Sequence, residues 1–191
     1  MLTKIKDTLF DNPYLFRITR TILEAGNTKQ LTLLRQHIKP TEKVLDIGCG
    51  TGDFSVISES YQGIDLTPSF IAYARKTYDK KFDVMDATHL SFQDKSFTTT
   101  MLLSMLHHFP DHLITKVLAE AARVSTKLIV VDLIQKKNPL SKLLYKLDRG
   151  KNIRTLEEQQ KLISQSFIIT HASVFNASLL YSHSFIIAIP K

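Results

Sequence analysis

The stretch Val44-Leu45-Asp46-Ile47-Gly48-Cys49-Gly50-Thr51-Gly52-Asp53 concentrates the features with which a protein binds a nucleotide. Its apolar start reads as a buried strand that ends beside an acid, and Gly48, Gly50 and Gly52 then recur at every second position. Glycine lets the backbone turn tightly and approach a ligand with no Cβ in between. Asp53-Phe54-Ser55 is expected to open a helix whose first amides face the same ligand. A second acid, Asp65, closes another apolar run. It follows Asp46 at close to the roughly 20 residues expected for a carboxylate that takes both ribose hydroxyls. An ionised carboxylate only accepts hydrogen bonds, which suits a pair of vicinal hydroxyls. A third acid, Asp86, ends the run Phe82-Asp83-Val84-Met85-Asp86-Ala87. His107 and His108 follow a fourth run, Thr98 to Ser104. An imidazole titrates near neutrality and is suited to take a proton from an acceptor.

The spacing narrows the ligand. The dinucleotide fingerprint needs G-x-G-x-x-G, and its third glycine position is Asp53 here. A P-loop needs Gly-Lys followed by Ser or Thr, which is missing from the glycine loop. The remaining pattern, D-x-G-x-G-x-G after a strand, resembles motif I of the class I S-adenosylmethionine-dependent methyltransferases. Gly63-Ile64-Asp65-Leu66-Thr67-Pro68-Ser69 and Asp86-Ala87-Thr88-His89-Leu90-Ser91-Phe92 resemble the following segments of the family's small-molecule members. Leu106-His107-His108 is similar to their segment after strand four. The resemblance implies S-adenosylmethionine as cofactor and S-adenosylhomocysteine as product. It places Asp46, Gly48, Gly50 and Gly52 at the methionine end and Asp65 at the ribose, with Cys49 and Leu66 among the cofactor-binding residues. Asp86 and Ala87 are placed at the adenine, and the backbone near Ser104 at the methionine amino group. His107 or His108 is the candidate base; the other reading is a histidine that bonds the backbone and shapes the pocket. No metal is expected, since no Cys or His partners follow the pair at metal-site spacing.

Composition sets the frame. The chain has 191 residues, 43% of them hydrophobic, enough for one domain and one core and too few for a second full domain. No apolar run approaches the roughly 20 residues of a membrane span, and the N-terminus lacks the apolar segment of a secretory signal. A single cysteine, Cys49, excludes an internal disulfide and fits a cytoplasmic protein. The formal charge of +7 suits nucleic acid, anionic lipid or an acidic substrate, and equally suits solubility alone.

These groups need a frame that brings strand ends together. The expected fold is α/β: a seven-stranded, mostly parallel Rossmann-like sheet, helices on both faces, and an antiparallel last strand. Residues 1–191 form one methyltransferase domain in this reading. Residues 1–40 are expected to be a helical segment over the cofactor site. Within it Asn12 caps a helix with Pro13 first, carrying Leu15, Ile18, Ile22 and Leu23, and a second helix carries Leu31, Leu34 and Ile38. Asp111 is expected to cap the helix after strand four. Lys127 to Asp132 reads as strand five, with Asp132 either facing the acceptor or capping the strand. Residues 136–165 form a basic helical lid between strands five and six. Its Pro139 helix bears Leu140, Leu143, Leu144 and Leu147, with Lys136, Lys137, Lys142, Lys146, Arg149, Lys151 and Arg154 around it. That face is either merely solvated, docked on an anionic surface through 136–154, or the source of a substrate-binding arginine. Thr155 and Glu158 make a capping box. Phe167 to Phe175 and Tyr181 to Ile189 are the last strands.

Methyl transfer to a small-molecule acceptor is the leading reading. RNA or DNA as acceptor is the second, and it is disfavoured because the basic residues are not interleaved with aromatics. A cofactor-binding scaffold without turnover is the third.

Overall fold

The computed structural model describes residues 12–23, 27–135, 152–176 and 182–191. Its helices are α1 (Pro13–Leu23), α2 (Thr28–His37), α3 (Pro68–Thr77), α4 (Asp111–Val124) and α5 (Leu156–Ile163). Its strands are β1 (Lys43–Ile47), β2 (Ser60–Asp65), β3 (Lys81–Val84), β4 (Phe97–Leu103), β5 (Ser125–Leu133), β6 (Phe167–Asn176) and β7 (Ser182–Pro190). They form one sheet in the order β3-β2-β1-β4-β5-β7-β6. The first five strands are mutually parallel, and β7 lies antiparallel between β5 and β6. The expected architecture is therefore present, including the antiparallel final strand. Among the described residues no helix is long and apolar enough to cross a membrane.

Strands β4 and β5 lie inside the sheet, which is why Met101-Leu102-Leu103 and Leu128-Ile129-Val130-Val131 read as unbroken apolar runs. Side chains alternate between two cores. On one face Leu45, Ile47, Leu102, Leu128 and Val130 meet Ile114, Val117, Leu118 and Ala121 of α4 and Leu162 and Ile163 of α5. On the other, Val44, Met101, Ile129 and Phe185 meet Leu34 of α2 and Ile71 and Ala74 of α3.

Most local signals act as read. Asn12 Oδ1 accepts from the amides of Tyr14 and Leu15 at 3.0 and 3.3 Å, so Asn12-Pro13-Tyr14 is a helix start. Thr155 and Glu158 form both halves of a capping box. Two readings are corrected. The expected helix from Asp53 is a single 3-10 turn, Ser55–Ile57. The dozen residues 48–59 must also return to the start of β2, which leaves no length for an α-helix. Asp111 is itself the first residue of α4 and caps nothing: the preceding Pro110 holds the cap position, and the Asp111 carboxylate takes Arg154 instead. Strand three ends at Val84, so Asp86 stands just beyond it. The helix read over 139–147 lies outside the described residues.

Strand β4 carries an unsatisfied core hydroxyl. Thr100 is fully buried in β4, and its hydroxyl has no hydrogen-bond partner. Valine keeps the shape and removes the stranded group. Thr100→Val should stabilise the protein by about 1 kcal/mol. Thermal unfolding should show a rise of about 2–4 °C.

Candidate active site

Parallel strands deliver their carboxyl ends to one edge of the sheet, so the segments after β1, β2, β3, β4 and β5 meet there. The loop after β1 is held in left-handed backbone at Gly48, Gly50 and Gly52. Gly52 has φ +80°, and a Cβ there would stand 2.8 Å from the Phe82 ring. A Cβ on Gly50 would meet the Phe16 ring of α1 at 3.3 Å. The N-terminal helix thus rests on the glycine loop.

Asp65, last residue of β2, ties this loop to its own strand. Its Oδ2 accepts from the Gly50 amide at 2.9 Å and its Oδ1 from the Thr67 amide at 2.8 Å. Each carboxylate oxygen has two acceptor sites, so one per oxygen remains for a ligand. Leu66 beside it is 66% exposed, an apolar surface left open at the strand ends. Asp86 is exposed and takes both the amide and the hydroxyl of Thr88 on Oδ1, each at 2.8 Å. These bonds hold its carboxyl below the usual range and keep it ionised. Ala87, next to it, is partly buried and packs against the core.

Two of the expected cofactor-binding residues are turned inward. Asp46 is 1% exposed and accepts the Tyr61 hydroxyl at 2.7 Å. That hydroxyl is buried beside the acid, which pushes its pKa well above the ordinary value. The Cys49 side chain is buried, and burial, with Asp46 and Asp65 nearby, raises its thiol far above the usual range. What the loop offers a ligand from Cys49 is its backbone. Ser104 follows β4 with φ +53°, a strained position for a residue with a side chain, and its hydroxyl is buried without a partner.

His107 and His108 lie in a 3-10 turn, Leu106–His108, directly after β4. They differ sharply in surroundings. His107 is 3% exposed, and Asp132 of β5 takes its backbone amide at 3.0 Å and bonds its ring Nδ1. His108 is exposed. Asp132 therefore faces the histidine turn, a pairing across 25 positions that local reading left open. Among the described residues no group of His, Cys, Asp and Glu is placed to hold a metal.

Sequence reading also left two supports unseen. Asp53, at the missing glycine position, accepts from Thr51 and Tyr78 hydroxyls at 3.0 Å and pairs with Arg17 of α1 at 3.2 Å. Burial, with the Asp53 charge beside it, pushes the Tyr78 pKa up to about 12. Arg154, at the end of the stretch read as a possible source of a substrate-binding arginine, is committed to the fold. It is 7% exposed and donates to the carbonyls of Leu106, Phe109 and Asn152 and to Asp111. All five N–H donors are used, so none remains for an acceptor. The basic residues from Lys136 to Lys151 lie outside the described residues.

A glycine loop after β1, an acid closing β2 and the order β3-β2-β1-β4-β5-β7-β6 define a Rossmann-like sheet of the methyltransferase class. Residues 44–127 match the family model described as "Methyltransferase domain", and over this stretch the chain is similar to the S-adenosylmethionine-dependent methyltransferases. An uncharacterised protein of Methanocaldococcus jannaschii is 32% identical over 96 residues, 50% of this chain and 34% of that protein. The 27-O-demethylrifamycin SV methyltransferase of Amycolatopsis mediterranei is 30% identical over 99 residues, 46% of this chain and 36% of that one. The match thus spans about a third of the length of these relatives. The solved structure of a SAM-dependent methyltransferase from Methanosarcina mazei has a TM-score of 0.71 at 22% identity, covering 83% of this chain and 96% of that chain, a likeness of fold.

Replacing Arg154 tests whether the turn carrying the histidines depends on it. Lysine keeps the charge and loses the planar fork that serves three carbonyls and a carboxylate. Arg154→Lys should lower stability by about 2–3 kcal/mol, measured by denaturant unfolding.

Proposed function

We propose that this chain transfers a methyl group from S-adenosylmethionine to a small-molecule acceptor and releases S-adenosylhomocysteine. The observation that carries the reading is Asp65, whose carboxylate is bonded to Gly50 and Thr67 and retains an acceptor site on each oxygen. The residues fit the cofactor. The glycine loop presents backbone to the methionine end without Cβ atoms in the way, and Ser104 adds its strained backbone and a hydroxyl without a partner. Asp65 accepts both ribose hydroxyls. Leu66 offers an apolar surface to the adenine, and Asp86 accepts from the adenine amino group. The Ala87 backbone reads the ring edge. Asp46 and Cys49 act from beneath, by bracing the loop. Helix α1 supplies the wall above it, since its Phe16 ring is what a Cβ on Gly50 would meet.

The cofactor supplies an electrophilic methyl carbon on a sulfonium. The protein's share is alignment, because in-line displacement needs the two reacting centres held at contact distance. Where the acceptor is a hydroxyl, its O–H bond breaks and the proton passes to an imidazole of the His107/His108 pair. The bound cofactor would supply the methyl group to that oxygen, and the imidazole would hold the displaced proton as an imidazolium. The Amycolatopsis relative, named as the methyltransferase of an O-demethylated small molecule, supports this acceptor class.

Calorimetric titration should give micromolar binding of S-adenosylmethionine and none of NAD. Asp65→Ala removes two hydrogen bonds to a charged acceptor, worth about 1.5–3 kcal/mol each. It should weaken cofactor binding at least about a hundredfold. Asp86→Ala should cost about tenfold by the same measure. A panel of phenols, carboxylic acids and amines should contain an acceptor that releases S-adenosylhomocysteine. Tight cofactor binding with no release from any class would leave a scaffold role and overturn the transfer reading.

A further inference from the structure

His107 and His108 are equivalent candidates by residue type, and the structure separates them. His107 is gripped by two segments. Its amide donates to Asp132 Oδ2 at 3.0 Å, its ring Nδ1 bonds Asp132 Oδ1, and its carbonyl accepts from Asn152 at 3.0 Å. Asp132 is fully buried at the end of β5, and its Oδ1 also accepts from the Leu133 amide at 2.7 Å. Arg154 secures the carbonyls of Leu106 and Phe109 on either side of the histidines, and its own charge is matched by Asp111. His108 stands exposed, with its ring centroid 4.1 Å from that of His107 and the planes inclined by 41°.

We propose that Asp132 and His107 are a positioning pair, and that His108 is the imidazole that meets the acceptor. The catalytic consequence rests on the methyl-transfer reading above; the geometry does not. An ionised carboxylate only accepts, so Nδ1 of His107 carries a proton and a single tautomer is selected. With its amide, carbonyl and ring all engaged, His107 cannot turn, and it forms a fixed wall behind His108. A buried carboxylate beside an imidazole is an expensive way to fill space, since well-packed apolar residues of similar volume serve stability as well or better. Its place at the carboxyl edge of the sheet, in β5 against the histidine turn that follows β4, points to orientation as the gain. The arrangement follows the general rule that a base is useful when a second group orients it. Here the orientation is transmitted by ring contact.

The test reads the pair without an acceptor and then with one. In protein carrying ¹⁵N-histidine, His107 should show a slowly exchanging Nδ1–H that is lost in Asp132→Asn, with the fold intact by circular dichroism. Diethylpyrocarbonate, which acylates accessible imidazoles, should label His108 and spare His107, and Asp132→Asn should open His107 to labelling. With the acceptor from the release screen, His108→Ala should lower kcat about a hundredfold, the low end of general-base effects, with cofactor affinity unchanged. Asp132→Asn should lower kcat in the same direction and leave that affinity within twofold. Equal labelling of both histidines in the unaltered protein would overturn the proposal, as would an absent Nδ1–H on His107. Full turnover by His108→Ala would overturn it too, with His107→Ala then naming the other ring as base. Failure of the transfer reading looks different: no acceptor releases product, while the labelling and tautomer results still decide the pair.

Discussion

The carboxylate of Asp65 ties the glycine loop to the start of α3, beyond the Gly48 and Cys49 amides that the Ile64 carbonyl already holds. Through Gly50 it holds the glycine loop, and through Thr67 it holds the start of α3, so one side chain sets the distance between the two segments beside the ligand. A loop of left-handed glycines has little stiffness of its own, because glycine surrenders more conformational freedom on folding than any other residue. The bond from Gly50 restores that stiffness from outside. Beneath it, the Tyr61 hydroxyl on Asp46 and the packing of Phe82 against Gly52 support the same loop from the core. The site is therefore prearranged by contacts to β2 and β3, which are themselves neighbours of β1 in the sheet.

A second anchor lies at the histidine turn. Arg154 is a buried cation whose desolvation is met by three carbonyls and one carboxylate, and its backbone makes an isolated parallel bridge to Ile134. It fastens the stretch entering α5 to the end of β5 and to the histidine turn at once. The two anchors differ in character. Asp65 is a group that both builds the site and is left with capacity for a ligand, whereas Arg154 is fully spent on structure.

Much of this was legible from residue order because it is local. The glycine loop, the acids near the ends of β2 and β3 and the capping residues Asn12 and Thr155 each announce themselves within a few positions. What escaped reading depends on contacts across the chain. Asp132 reaches His107 across 25 positions and Arg154 reaches Leu106 across 48, and neither pairing leaves a periodic trace. Asp53 illustrates a subtler case: its substitution for a glycine served to exclude one ligand class, while its actual employment, between Arg17, Thr51 and Tyr78, needed the fold to be seen. The 3-10 turn was misjudged because an N-terminal helix signal says nothing of how soon the chain must return to the sheet.

The order of the strands carries a consequence for the making of this protein. Strand β7 comes after β6 in sequence but sits between β6 and β5. Until residues 182–190 have been synthesised, the outer edge of β5 has no partner, and its run Leu128 to Val131 is among the most apolar in the chain. Chains fold from the N-terminus as they emerge, and an unpaired apolar edge is a template for mispairing. The β1-to-β5 half of the sheet can assemble early, yet it stays adhesive on one side until a late segment slots in from within. The hazard of aggregation is thus concentrated in a brief interval of synthesis, and it ends when β7 closes the sheet.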